Sequence, residues 1–276
     1  MKAQLTLCCL LFSAVCMSQN FEGTIKWSIS NEITDPAMKK QMEDAQKKMN
    51  DPKTKAEMKE MQEKMNSPEM KAMMDQNPQM KAQMEASMKM MQGGDMNSMM
   101  PKGFMIKIKN GNTLTSMDGG IMAATETLYL KDKNQSYMIN KDSKTYTVVT
   151  PGSDHGKTHA DVKVKKTTET QKILNYTCTK TIVTVTENGT SVDQIFWTTT
   201  EIKDFDLKTL SNQRMGEKSA MFYEGIEGVP LKMEMTTPQM KIVSQVVELK
   251  REPVPASIFA IPAGFTESKM PGQGHH

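Results

Sequence analysis

The stretch Leu128–Val149, LYLKDKNQSYMINKDSKTYTVV, decides the fold class. Three runs rich in β-branched and aromatic residues, Thr125 to Lys131, Ser136 to Asn140 and Thr145 to Thr150, are separated by the turn formers Asp132-Lys133-Asn134 and Lys141-Asp142. Connections this short join only antiparallel neighbours, because a parallel crossover needs a dozen or more residues. Working outward, strand candidates continue upstream at Phe104 to Lys109 and Leu114 to Met117, split by Asn110-Gly111. Downstream they continue at Asp161 to Thr168, Tyr176 to Thr186, Val192 to Thr199, Leu231 to Thr236 and Lys241 to Lys250, with Asn188-Gly189 as a further turn. Leu231, Met233 and Met235 alternate with Lys232, Glu234 and Thr236, the pattern of a half-buried strand. The expected arrangement is an antiparallel meander. Phe21 to Ile33 adds a strand at the start, alternating Ile25, Trp27 and Ile29 with polar neighbours. Asp204 to Gln213 is expected to form a short helix with Leu207 and Leu210 inward.

Between that first strand and Phe104 the period changes. Seventeen of the chain's 29 methionines lie between Pro36 and Gly103, with no Leu, Ile, Val, Phe, Trp or Tyr among them. The segment repeats. Asp35-Pro36, Asp51-Pro52, Ser67-Pro68 and Asn77-Pro78 each open a unit with a helix-capping residue followed by proline, so each unit is expected to be a short helix. Methionines recur three, four or seven residues apart, which puts one stripe on each helix: Met58, Met61 and Met65 on one, and Met80, Met84, Met88 and Met91 on another. The unbranched thioether adapts to many surfaces and fixes no single packing, so the stripes suit a pliable binding face for acyl chains or apolar peptides. They equally suit packing over a sheet or within a helical bundle.

Two metal readings stand beside these. Met58/Met61, Met70/Met73, Met88/Met90 and Met96/Met99 are pairs suited to copper(I), but the same spacings follow from a helical stripe and no His or Cys accompanies them. His155 and His159 are four apart in a stretch whose Pro151-Gly152 and Gly156 argue for a loop, which weakens a metal pair. No metal and no cofactor is expected.

The first eighteen residues carry one cation, Lys2, then an apolar run from Leu5 to Met17 and polar residues at Ser18 to Asn20, the layout of a secretory signal. Val15 before Cys16 departs from the small residue of a lipoprotein signal, so a soluble or peripheral mature chain beginning near Gln19 is expected in the periplasm or cell envelope. Three of the four cysteines lie in that leader, leaving Cys178, expected to be buried and inert in a strand. A net charge of +3 gives no reason to expect nucleic acid. Trp27 and Trp197 fit sheet packing. No nucleophile elbow, phosphate loop or zinc spacing is present, and the expectation is that the protein is not an enzyme.

Ordered phrases now line up: FEGTIKW at Phe21, LYLKDKNQSYMINKDSKTYTVV at Leu128, ILNYTCTKTIV at Ile173, IFWTTTEI at Ile195, GVPLKMEM at Gly228 and FAIPAGF at Phe259. Together they resemble an uncharacterised family of secreted bacterial proteins, domain of unknown function forty-four-twelve, over Phe21 to Ile33 and Phe104 to Phe265. That family is similar to the periplasmic lipoprotein-carrier superfamily, and the Asp-Pro openings resemble the repeats of co-chaperones that cradle apolar segments. The resemblance implies an α+β fold: a curved antiparallel, incompletely closed β-sheet, a carrier-like half-barrel, with an inserted Met-rich helical segment. The expected organisation is a signal peptide over 1–18, a β-rich domain over 19–34 and 101–267, the methionine segment over 35–100 and a flexible tail over 268–276. The function expected is non-enzymatic binding of a lipid-like or apolar peptide ligand, with copper(I) binding or a structural role in the envelope as alternatives.

Overall fold

The computed structural model describes residues 20–70, 100–149, 161–187, 189–205 and 225–268, apart from the side chains of Met65 and Glu187. The expected signal peptide, the helix from residue 206 onward, most of the later methionine units and nearly all of the tail lie outside these residues. Among the described residues twelve strands form one sheet: β1 (Gly23–Ile33), β2 (Gly103–Lys109), β3 (Asn112–Asp118), β4 (Thr125–Leu130), β5 (Gln135–Asn140), β6 (Thr145–Val149), β7 (Asp161–Ile173), β8 (Tyr176–Glu187), β9 (Thr190–Thr199), β10 (Val229–Thr236), β11 (Met240–Arg251) and β12 (Thr266–Glu267). Between β1 and β2 stand α1 (Pro36–Asn50) and α2 (Pro52–Met65).

The strand order is β12-β6-β5-β4-β3-β2-β1-β11-β10-β9-β8-β7, a large curved sheet that does not close. Neighbours run antiparallel except the two-residue β12, which lies parallel to β6. This is two meanders sharing β1. One runs outward from β1 through β2 to β6; the other runs inward from β7 at the far edge to β11, which pairs with β1 from Gly23↔Arg251 to Ile33↔Met240. A single sequential meander would have paired β6 with β7, so the central place of β1 is a finding of the structure. The open edge at β7 carries Lys163, Lys165, Lys166 and Lys172 and a register break between Lys166 and Thr170, two devices that discourage pairing with another chain.

Residues opposite one another in an antiparallel pair share a face, so the registers define two faces across the centre of the sheet. On the Trp27 face, Ile25, Trp27, Phe104, Ile106, Ile108, Val246 and Leu231 form one buried cluster with Phe21, Ile202 and Phe205. Phe21 meets Phe205 edge to face at 5.5 Å, and Arg251 pairs with Asp204 at 2.9 Å while lying over the Phe21 ring. From β3 outward most of the apolar side chains change side. Thr113, Thr115, Thr127, Ser136 and Thr147 continue the Trp27 face with Tyr129 and Met138 among them, whereas Leu128, Tyr137 and Ile139 turn to the Lys26 face. There Val254 and Phe259 of the segment after β11 cover them, joined by Leu114, Tyr146, Val148, Ile261 and Phe265. That segment is tied down where Glu22 accepts hydrogen bonds from the Val254 amide at 2.7 Å and from Lys109 Nζ at 2.8 Å. Those bonds hold the Glu22 carboxyl below its ordinary value.

The helices begin as their caps direct. Asp35 accepts from the Met38 amide at 2.9 Å and Asp51 from the Lys53 amide at 2.9 Å, each followed by proline at the first helical position. Ser67 repeats the arrangement, accepting from the Met70 amide. In α1 the stripe Met38, Met42, Ala45 and Met49 is half-buried and no residue is fully buried, although α1 lies against β1 and α2. Among the described residues no helix is long and apolar enough to cross a membrane.

Candidate functional site

The Trp27 face does not stay closed along the length of β1. Ile25 and Trp27 are buried, but beyond them Ile29, Asn31 and Ile33 are only half-buried. The neighbouring strands repeat the change. Val246 of β11 is buried, while Ile242 and Met240 further along that face are half-buried; on β10, Leu231 is buried while Met233 and Met235 are half-buried. Register places these side by side, with Ile29 opposite Ser244, Asn31 opposite Ile242, Ile33 opposite Met240 and Met235 opposite Ile242. One apolar surface thus passes from a sealed block under Phe21, Ile202 and Phe205 to a partly open row of aliphatic and thioether side chains.

The row lies where the methionine segment leaves and rejoins the sheet. The chain departs after Ile33, where the Thr34 amide donates to the Gln239 carbonyl at 2.9 Å, and it returns at Lys102, whose carbonyl accepts from the Ile29 amide at 2.7 Å. Of the stripe residues read from the sequence, Met58 is half-buried in α2 and Met61 is 52% exposed. Met65 is the last residue of α2, with its side chain outside the described residues, as are Met80, Met84, Met88 and Met91 altogether. The row on β1, β10 and β11 was not singled out from sequence. Its signal was the alternation reaching Ile33 on one side and Met233–Met235 on the other, but alternation cannot show which part of a face is covered.

The opposite face of β1, β10 and β11 is polar and internally paired, and Trp197 of β9, itself part of the buried cluster, reaches it. Trp197 Nε1 donates to Glu234 Oε1 at 2.9 Å, Lys232 Nζ meets the same oxygen at 2.9 Å, and Lys180 lies 5.8 Å over the indole. Burial would raise the Glu234 carboxyl, but the hydrogen bonds from Lys232 and Trp197 outweigh it and hold the group below its ordinary value. Lys26 and Lys250 share Glu248, each at 3.1 Å. Paired charges of this kind leave little field to capture an ionic ligand.

Cys178 is fully buried, and desolvation, helped by the charge of Glu201, pushes its thiol up to about 11. A soluble disulfide reagent at pH 8 is expected to label it slowly in the native protein and quickly after denaturation; rapid stoichiometric labelling of the folded chain would contradict this placement. Among the described residues no group of three His, Cys, Asp or Glu side chains is placed to hold a metal ion. Of the four methionine pairs, only Met58/Met61 falls wholly within them, and His155 and His159 fall outside.

A family model described as domain of unknown function (DUF4412) matches residues 83–265. The match takes in β2 to β11 and the covering segment to Phe265, starts within the methionine segment, and leaves β1 outside. Among solved structures, one described as "Structure of PNGF-II in C2 space group" is 18% identical with a TM-score of 0.27, covering 59% of this chain and 28% of that one. The chain therefore spans under a third of that protein's length. A crystal structure of LprF from Mycobacterium bovis is 11% identical with a TM-score of 0.24, covering 57% of this chain and 83% of that one. No curated protein matches the chain.

Proposed function

We propose that this chain, which belongs to the uncharacterised DUF4412 family, is an exported, non-enzymatic binding protein for lipid-like or apolar peptide ligands, taken on the half-buried row of the Trp27 face. The observation that carries the reading is the continuity of that face: the same strands that bury Ile25, Val246 and Leu231 leave Ile29, Ile33, Met235, Met240 and Ile242 half-buried. Fully burying a side chain of this size gains about 1.5–3 kcal/mol, so a ligand that covers the exposed half of several of them gains useful affinity without any charge. Such a site binds by dispersion and burial, and its selectivity is modest. Methionines at Met233, Met235 and Met240 allow the surface to adapt to chains of different shape.

The test is uptake of an apolar fluorescent probe by the full chain and by a variant carrying Ile242→Ser and Met235→Ser. Losing half of the burial of both residues removes about 1.5–3 kcal/mol, a roughly 10- to 100-fold weaker probe affinity. Lys250→Ser, on the opposite face, is expected to leave the affinity unchanged. Equal affinity in the wild type and the folded double variant would overturn the assignment of the site.

A further inference from the structure

We propose that Trp27 and Ser244 form the polar anchor of this row and that its ligand is a single-chain acyl ester, held by its carbonyl oxygen; the inference rests on the binding reading above and adds the chemistry of the ligand's head. Trp27 is 4% exposed and Ser244 8%, yet among the described residues neither Trp27 Nε1 nor Ser244 Oγ has a hydrogen-bond partner. Buried polar groups are almost always paired, and one left unpaired is costly. The other tryptophan shows the ordinary solution: Trp197, similarly buried, donates its indole N–H to Glu234.

Both orphaned groups lie where the sealed block meets the open row. Ser244 faces Ile29 across the β1–β11 pair and Trp27 stands two residues earlier on the same face, about 7 Å along the strand. The indole is held in place by stacking on Phe104, with ring centroids 5.4 Å apart and planes 11° from parallel. An indole N–H can only donate and a serine hydroxyl can also donate, so both call for an acceptor oxygen. That oxygen is best neutral. Lys232, Lys241 and Lys250 stand on the opposite face by register, and Arg251 on this face is engaged with Asp204. Lys102, opposite Ile29, is on this face but exposed. A carboxylate at the buried anchor would therefore be desolvated with only that solvated ammonium to offset it, whereas an ester carbonyl meets no such penalty. From the anchor, Ile29 to Ile33 extends the apolar row by four residues, about 13 Å. That is close to one leaflet's share, about 15 Å, of a bilayer's hydrocarbon core.

The experiment uses the full chain with an apolar fluorescent probe bound, displaced by methyl laurate, by dodecane or by laurate. The wild type should prefer methyl laurate over both others. Trp27→Phe keeps the ring stack and removes the donor; Ser244→Ala removes the hydroxyl. Each is expected to weaken methyl laurate by about fivefold while leaving dodecane unchanged, since one hydrogen bond is lost only with the ester. In the empty protein Ser244→Ala should melt no lower than the wild type, because it deletes an unpaired group. Unchanged methyl laurate affinity in folded Ser244→Ala, or a wild-type preference for laurate, would overturn the anchor while leaving the apolar site standing. Failure of both methyl laurate and dodecane to displace the probe would overturn the anchor, whereas failure of the wild type to bind the probe at all would remove the binding reading itself, and the anchor with it.

Discussion

Gly103→Ala is expected to destabilise the protein by more than about 4 kcal/mol, enough to lower the melting temperature by on the order of 10 °C. A Cβ at this position would stand 2.2 Å from the Trp27 carbonyl oxygen and 3.4 Å from Ser28 Cα. Both are backbone atoms, so no rotamer change relieves the clash and β1 must separate from β2. The separation falls where the Ile29 amide meets the Lys102 carbonyl and where Trp27 stacks on Phe104. Gly264→Ala is the control. Gly264 has φ +81° but nothing within 4 Å of an added Cβ, so it carries only the left-handed backbone penalty of about 1–2 kcal/mol. Chemical denaturation of the two variants measures the difference; equal midpoints would mean that β1 and β2 do not approach as closely as described.

Phe259→Ala should cost about 3–5 kcal/mol, the range for deleting a buried aromatic side chain. Phe259 is 8% exposed in the cluster that seals Leu128, Tyr137 and Ile139 on the Lys26 face. Without it the covering segment keeps its polar ties, Val254 to Glu22 and Thr266 to the Lys144 carbonyl at 3.1 Å, but loses its central apolar contact. Urea unfolding reads the loss, and limited proteolysis should cut first within the segment after Arg251. The Trp27 face lies on the other side of the sheet, so apolar probe affinity of the remaining folded protein should be unchanged. A loss below about 1 kcal/mol would show that the cover contributes little to the second core.

Strand positions were legible because they depend on a few neighbouring residues. Thr125 to Lys131, Ser136 to Asn140 and Thr145 to Thr150 match β4, β5 and β6 within one residue at either end, and the turns between them place Asn134 and Lys144 at φ 46° and 52°. Asn110 and Gly111, at φ 54° and 79°, form the expected tight turn between β2 and β3. The expected end of β7 at Thr168 fell short of Ile173 because Thr167 to Thr170 carries no apolar period, and β12 was missed because two residues become a strand only by pairing with β6. The site was less legible than the fold. The methionine stripes of the sequence reading lie largely outside the described residues, while the proposed row sits on strands whose alternation was seen but whose cover was not.

By itself the sequence determined the β-rich class, most strand bounds to within two residues, the helix starts at Asp35 and Asp51 and the alternation that gives most strands an apolar side. These follow from backbone preferences, capping side chains and a period of two, all of which act within a few residues. Only the tertiary structure decided that β1 lies at the centre, that the apolar side changes between the Trp27 face and the Lys26 face, and that the first face is sealed at Ile25 but half open at Ile33. Those outcomes depend on partners far apart in the chain. Gly23 pairs with Arg251, and Phe259 covers Leu128, so whether a given apolar side chain becomes core or surface is set by which distant segment arrives over it.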